Sequence, residues 1–147
     1  MVMLGLDDTL TFLINRASTL ARQEFEGRLR KFDLTPAQWA VLIRLSEQDG
    51  LNMTELGHLL YFDKPTTTGV VNRLVKKKYV KKVKNRKDRR VTHVFITDAG
   101  KEALLPVEPI VKFYQENFLK DISPENYETA KEVLKTMIKN IKSVENI

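Results

Sequence analysis

Three observations predict a mainly helical α+β fold for this chain. Apolar residues recur at helical spacing over most of its 147 residues. One pair of short segments rich in Val, Thr, Tyr, Phe and Ile, 79–84 and 91–96, interrupts them as two strands would. The charge is local: Arg73 to Arg90 holds eleven Lys or Arg and one acid, Asp88, for +10 in a chain of net +6, so the remainder sums to −4. Positive charge gathered on folded elements points to a phosphate-bearing partner.

The elements follow in order. Leu6, Leu10, Leu13, Ala17, Leu20, Ala21, Phe25, Leu29 and Phe32 predict a long amphipathic helix from about Asp7 to Phe32, weakened at Gly27. In DLTPAQWAVLIRLSEQDG, Thr35 is a predicted N-cap, Pro36 takes the first helical position and Gln38 the capping-box place. Trp39, Leu42, Ile43 and Leu45 give that helix its apolar stripe, Trp39 reads as core, and Gly50 ends the segment. Thr54 is the expected cap of a short helix, Glu55–Leu60, with Leu56, Leu59 and Leu60 turned inward. Tyr61-Phe62-Asp63 then turns the chain into a second helix, Lys64 to Lys78, capped by Asp63 or Lys64; two short helices joined this way form a helix-turn-helix.

The second helix carries two faces. Thr67, Val70, Val71 and Leu74 cluster on one side; Pro65, Thr68, Gly69, Asn72, Arg73 and Lys76 lie opposite, with Thr66 at the edge. Short polar groups near the N-terminus and cations further along suit a helix placed end-on in a major groove. A solvated surface helix would show the same charges. The two strands that follow form a β-hairpin whose turn, Asn85-Arg86-Lys87-Asp88-Arg89-Arg90, is tipped with charge. Arginines on such a tip suit a minor groove. Lysines also keep an edge hairpin soluble, but a lone carboxylate among cations is better explained as the partner that fixes an arginine.

Thr97 and Asp98 open another helix, which Pro106 and Pro109 should kink or break. Ser123 and Pro124 start the last one. There Tyr127, Ala130, Leu134, Met137, Ile141 and Val144 recur at 3-4-3-4-3 spacing, a seam that asks for a partner helix. The long helices at both ends therefore read as a dimerisation layer built on Leu10, Leu13, Tyr127, Leu134, Met137 and Ile141. The whole is expected to be one domain, 1–147, with a winged helix at 34–100 between helical dimerisation regions at 4–33 and 101–147.

Much chemistry is excluded. The chain has no cysteine, hence no disulfide, thiolate metal site or thiol redox sensor. It has no Gly-rich phosphate loop and no G-x-S-x-G. His58 and His93 are its only histidines and form no metal-ligand pattern, so neither metal nor cofactor is expected. An enzyme has no supporting motif. The N-terminus, with Asp7 and Asp8 and no early basic region, does not read as a signal peptide, and no apolar run approaches the ~20 residues of a membrane span. A cytoplasmic protein without a membrane partner is expected.

In order and spacing, LTPAQWAVLIRL, MTELGHLL, DKPTTTGVVNRLVKKKYV, KDRR and FITDAGKEAL resemble the multiple-antibiotic-resistance regulator (MarR) family over about Leu4 to the C-terminus. The most specific piece is Asp88-x-Arg90 followed by a strand and Thr97-x-x-Gly100. The resemblance implies a winged helix-turn-helix with a two-stranded wing, acting as a homodimeric regulator of transcription on pseudo-palindromic double-stranded DNA. It implies that Arg90 enters the minor groove with Asp88 orienting it, that Arg86, Lys87 and Arg89 share the wing, and that Lys64–Lys78 is the recognition helix. Gly69 stands where the family often has a larger DNA-contacting residue. The family's small aromatic or anionic effectors imply a pocket, for which Phe12, Arg16, Trp39 and His58 are the candidates. The leading expectation is a repressor; the alternative is a winged-helix interaction module or a non-specific architectural DNA binder.

Overall fold

Thr9, rather than Asp7, starts the first long helix. In the computed structural model, which describes residues 5–144, its hydroxyl accepts the Phe12 N–H at 3.3 Å and α1 runs Leu10–Leu29. Short 3₁₀ turns, Leu6–Asp8 and Arg30–Phe32, replace the two ends of the helix expected from Asp7 to Phe32. The cap explains the first break, because its hydroxyl satisfies a donor that an upstream turn would otherwise occupy. The second ends at Asp33, which adopts a left-handed conformation with φ 53°. Leu4 and 145–147 of the expected flanking helices lie outside the described residues.

Helix α2, Pro36–Glu47, forms as its capping box dictates: Thr35 Oγ1 accepts the Gln38 N–H at 3.1 Å and Gln38 Oε1 accepts the Thr35 N–H at 3.4 Å. Helix α3 spans Met53–Leu60, and here the expected cap was misplaced. Asn52, not Thr54, caps it, reciprocally with Glu55. An Asx cap with a Glu three residues on outcompetes a threonine inside the first turn. The shift in phase leaves Leu56 fully buried but Leu59 exposed and Leu60 half-buried, against the expected inward pair. Tyr61, at φ 55°, turns the chain toward α4, Lys64–Lys76. Asp63 is its cap. Lys78 lies beyond the helix in left-handed conformation, and the Tyr79 N–H reaches back to the Leu74 carbonyl at 3.0 Å. That is a Schellman ending with lysine where glycine is usual.

Strands β1, Val80–Lys84, and β2, Thr92–Ile96, pair antiparallel from Val80↔Ile96 to Lys84↔Thr92. A third segment joins them: Asn52 forms an isolated bridge with His93, and the Val94 N–H donates to the Leu51 carbonyl at 2.8 Å. Helix α5, Asp98–Leu104, is capped by Thr97. The two prolines act as predicted, a 3₁₀ turn Leu105–Val107 separating α5 from α6, Glu108–Phe118. Helix α7, Pro124–Val144, starts at the Ser123 cap, whose hydroxyl accepts the Asn126 N–H at 3.1 Å.

The chain's contacts divide it into two compact units, Met1–Ile110 and Val111–Ile147. The first holds a core of Leu29, Leu34, Val41, Leu42, Leu45, Leu56, Val70, Val71, Leu74, Val80 and Val94. Fully burying each such aliphatic side chain is worth roughly 1.5–3 kcal/mol. Trp39 is half-buried against Phe25 of α1, edge to face at 4.9 Å. In the second unit, Tyr114 packs on Phe118 with ring centroids 4.6 Å apart, and α7 buries none of its residues.

Candidate nucleic-acid interface

The inward face of α4 is the one its periodicity predicts: Thr67, Val70, Val71 and Leu74 are buried. That fixes the rotation of the helix and turns Lys64, Pro65, Thr66, Thr68, Asn72, Arg73 and Lys76 to solvent, with Gly69 half-exposed. The N-terminus of α4 is held by Asp63, whose Oδ1 accepts the Thr66 N–H at 2.7 Å. Hydrogen bonds from Thr66, side chain first and backbone second, hold the Asp63 carboxyl below its ordinary pKa. The approach of α3 to α4 is close: a Cβ at Gly57 would lie 2.8 Å from Thr67 Oγ1, itself donating to the Asp63 carbonyl at 2.9 Å. Glycine there sets the angle of the helix-turn-helix.

The hairpin tip is built around two short side chains. Asn85 Oδ1 accepts the N–H groups of Lys87 (2.8 Å) and Asp88 (3.3 Å), closing the turn. The Asp88 carboxylate then takes Arg90 in a two-pronged pair, Nε–Oδ1 and Nη2–Oδ2 both 3.1 Å, and accepts the Arg90 N–H as well. The guanidinium–carboxylate hydrogen bonds hold the Asp88 carboxyl below its ordinary pKa and raise that of Arg90. The arginine side chain is 90% exposed while the aspartate is 42% exposed. The guanidinium is therefore presented outward with its orientation fixed, at the expense of one carboxylate. Arg86, Lys87 and Arg89 are exposed around it.

Several contacts were not foreseen from sequence. Lys82 on β1 donates to Asn72 Oδ1 at 2.7 Å, tying the hairpin to α4. Lys77 bonds Asp33, by both carboxylate (3.2 Å) and backbone carbonyl, and Gln38 Oε1 (3.2 Å). His93 bonds Gly50 and Asn85. An Asn opening a turn three residues before an Asp is a readable signal for the tip; the pairings across 39 or 44 residues are not. Of the effector candidates, Trp39 packs on Phe25, Phe12 and Arg16 lie on α1 and His58 is exposed on α3. A shallow cleft lined by Arg30, Asp33, Leu34, Thr35, Gln38 and Lys77 includes none of the four.

A recognition-type helix whose polar face is bare, followed by a basic hairpin with a clamped arginine, defines a winged helix-turn-helix DNA-binding protein. The comparisons make the class specific. The MarR family profile matches residues 34–92. The chain is 30% identical over 112 residues to the HTH-type transcriptional regulator SarZ of Staphylococcus aureus, covering 76% of each chain. It is 32% identical over 97 residues to TtmR of Methylorubrum extorquens, 66% of this chain but half the length of that regulator. Its fold superposes on S. aureus MepR, solved in complex with DNA, with a TM-score of 0.82 at 24% identity over 90% of this chain and 98% of that one. The protein belongs to the MarR family of helix-turn-helix transcriptional regulators, a family of regulators rather than enzymes. Among the described residues no helix is long and apolar enough to cross a membrane, and no cluster of His, Asp and Glu could hold a metal ion.

Proposed function

We propose that this protein binds pseudo-palindromic operators as a homodimer and represses transcription from them. The observation that carries the reading is the Asp88–Arg90 clamp at the tip of a hairpin that directly follows the bare polar face of α4. Thr66, Thr68, Asn72 and Arg73 read base edges in the major groove, and Arg90 enters the flanking minor groove. The dimer reading is supported by α7, where Tyr127, Leu134, Ile141 and Val144 are exposed, Ile141 by 59%, along one heptad-like seam. On α1, Leu10 and Leu13 are each 51% exposed and join the same reading. Two-fold symmetry matches two recognition helices to two half-sites. A small aromatic or anionic effector would release the operator by changing the separation of those helices. A cytoplasmic location goes with a DNA partner.

A promoter-proximal fragment near its own gene should bind at nanomolar protein, with specificity over bulk DNA. Arg90→Ala and Asn72→Ala should each weaken that binding; unchanged affinity in both removes the contact assignment. Binding that is purely salt-dependent and indifferent to sequence would favour the non-specific reading. Sedimentation of Ile141→Glu tests the seam, since a normal dimer would make the stripe irrelevant to assembly.

A further inference from the structure

We propose that His93 positions the wing, acting through Asn85 on Arg90, with its proton on Nδ1 and its Nε2 as acceptor. The assignment comes from hydrogen-bond polarity. Nδ1 lies 2.9 Å from the Gly50 carbonyl, which only accepts, so Nδ1 carries the proton. Nε2 lies 3.3 Å from Asn85 Nδ2 and must then accept. The amide cannot reverse to suit a different ring, because Asn85 Oδ1 is already committed to the Lys87 and Asp88 N–H groups. Tautomer and amide orientation therefore determine each other, and a continuous relay runs from Gly50 through His93 and Asn85 to the turn that holds Asp88 and Arg90.

The body end of this relay is closely packed: Gly50 has φ +75°, and a Cβ there would meet Phe95 Cε1 at 2.8 Å. His93 is itself held by the bridge to Asn52 and by the neighbouring Val94–Leu51 hydrogen bond. Without the Nε2 acceptor the turn would lose one of its ties to the body, beside the Lys82–Asn72 bond, and the Asp88–Arg90 clamp its support.

The charged groups on the elements around His93 are otherwise engaged or bare. Asp49 accepts the Gly50 and Ile96 N–H groups, Glu55 accepts the Asn52 N–H, Lys82 bonds Asn72 and Asp88 bonds Arg90. Lys84 on β1 and Arg86 and Lys87 in the turn are exposed. Both ring nitrogens meet uncharged partners. Asp88 is held below the ordinary carboxylate range by its hydrogen bonds with Arg90.

The proposal rests on wing insertion, and its test separates the two. Long-range ¹H–¹⁵N NMR of the DNA-free protein should report the Nδ1–H tautomer at His93; an Nε2–H tautomer overturns the proposal without touching the wing reading. Affinities for a duplex selected from a random-sequence pool and for bulk DNA are then measured at constant salt. In His93→Leu, which keeps neither ring hydrogen bond, the ratio of the two should be about fivefold below wild type, the factor of one lost hydrogen bond. It should stay at the wild-type value in His58→Leu, and in an Arg90→Ala background the His93 substitution should add nothing further. A wild-type ratio in His93→Leu, or the full loss persisting in the Arg90→Ala background, overturns the role of His93. Arg90→Ala binding the selected duplex as tightly as wild type would instead overturn the wing reading beneath it.

Discussion

Gly100 is the position where a single methyl group should do most damage for its size. It stands in the first turn of α5, and a Cβ there would lie 2.2 Å from the Tyr79 carbonyl oxygen and 2.8 Å from Ile96 Cγ1. The first contact is with backbone, so no rotamer relieves it; α5 and the start of β1 must part by roughly 1 Å to restore van der Waals distance. The Tyr79 carbonyl also accepts the Thr97 N–H at 3.0 Å, and Thr97 caps α5, so the parting strains that bond and the cap together. Overpacking costs about 1–3 kcal/mol and a weakened hydrogen bond about 1 kcal/mol. The better helix propensity of alanine returns at most about 1 kcal/mol. The net is a loss of about 1–3 kcal/mol, or a fall in Tm of about 2–12 °C for a chain of this size. Thermal unfolding followed by far-UV circular dichroism measures it directly. Gly27→Ala is the internal control: nothing lies within 4 Å of a Cβ there, and the change should stabilise exposed helix by about 0.5–1 kcal/mol. A Gly100→Ala protein melting within about 2 °C of wild type would refute the claim that close backbone approach makes this glycine necessary.

Three further outcomes are expected from α4 and its surroundings. Asp63→Ala should lower stability through loss of the cap and weaken operator binding; because the Asp63 pKa is lowered on folding, this contribution is full above the ordinary carboxylate pKa and fades as pH falls through the depressed value, so chemical denaturation of wild type and variant should converge in strong acid. Lys78→Gly should stabilise by about 1 kcal/mol, seen as a rise in Tm, because Lys78 holds φ 63° in the Schellman ending of α4. Lys82→Met should broaden the selected operator toward adenine at the base that Asn72 faces. Lys82 takes one lone pair of Asn72 Oδ1 and fixes the direction of the amide, whereas bidentate adenine recognition needs Oδ1 and Nδ2 turned together toward one base; an unchanged selection profile would show that Lys82 does not orient the amide.

The helices, the hairpin and the Asp88–Arg90 pair were legible in the sequence because each is encoded locally. A cap lies three residues from its partner, a strand pair closes through its own turn, and an aspartate reaches an arginine two positions on. The misplaced cap of α3 shows the limit of that locality. Thr54 and Asn52 both carry capping groups, and the competition was decided by Glu55 completing the box with Asn52. What sequence did not reveal depends on chain segments that meet only after folding: Gly50 with His93, Lys77 with Asp33 and Gln38, Gly100 with Tyr79. No period or spacing announces these, since their geometry is set by the packing of α2, α4 and the hairpin together. The effector candidates had even less local support, and nothing in their burial or bonding groups them.

The lysines of the basic run look equivalent in sequence and do different work, and one paired experiment separates them. Lys77 is half-buried, its side chain 22% exposed, and bonds Asp33 and Gln38. It clamps the end of α4 to the α1–α2 junction, a structural role within a stretch whose local charge points to a phosphate-bearing partner. Lys84 is exposed at the far end of β1. If Lys84 neutralises one phosphate, Lys84→Met should reduce the slope of log affinity against log salt by about 0.9 and leave Tm unchanged. Lys77→Met should do the reverse. Removing the ammonium leaves the Asp33 carboxylate, itself 95% exposed, to water and gives up two hydrogen bonds, for a loss of about 1–2 kcal/mol in stability with the salt slope intact. Equal salt slopes for wild type and both variants would mean that neither lysine meets a phosphate, and the surplus charge of the hairpin would then have to act through the turn alone.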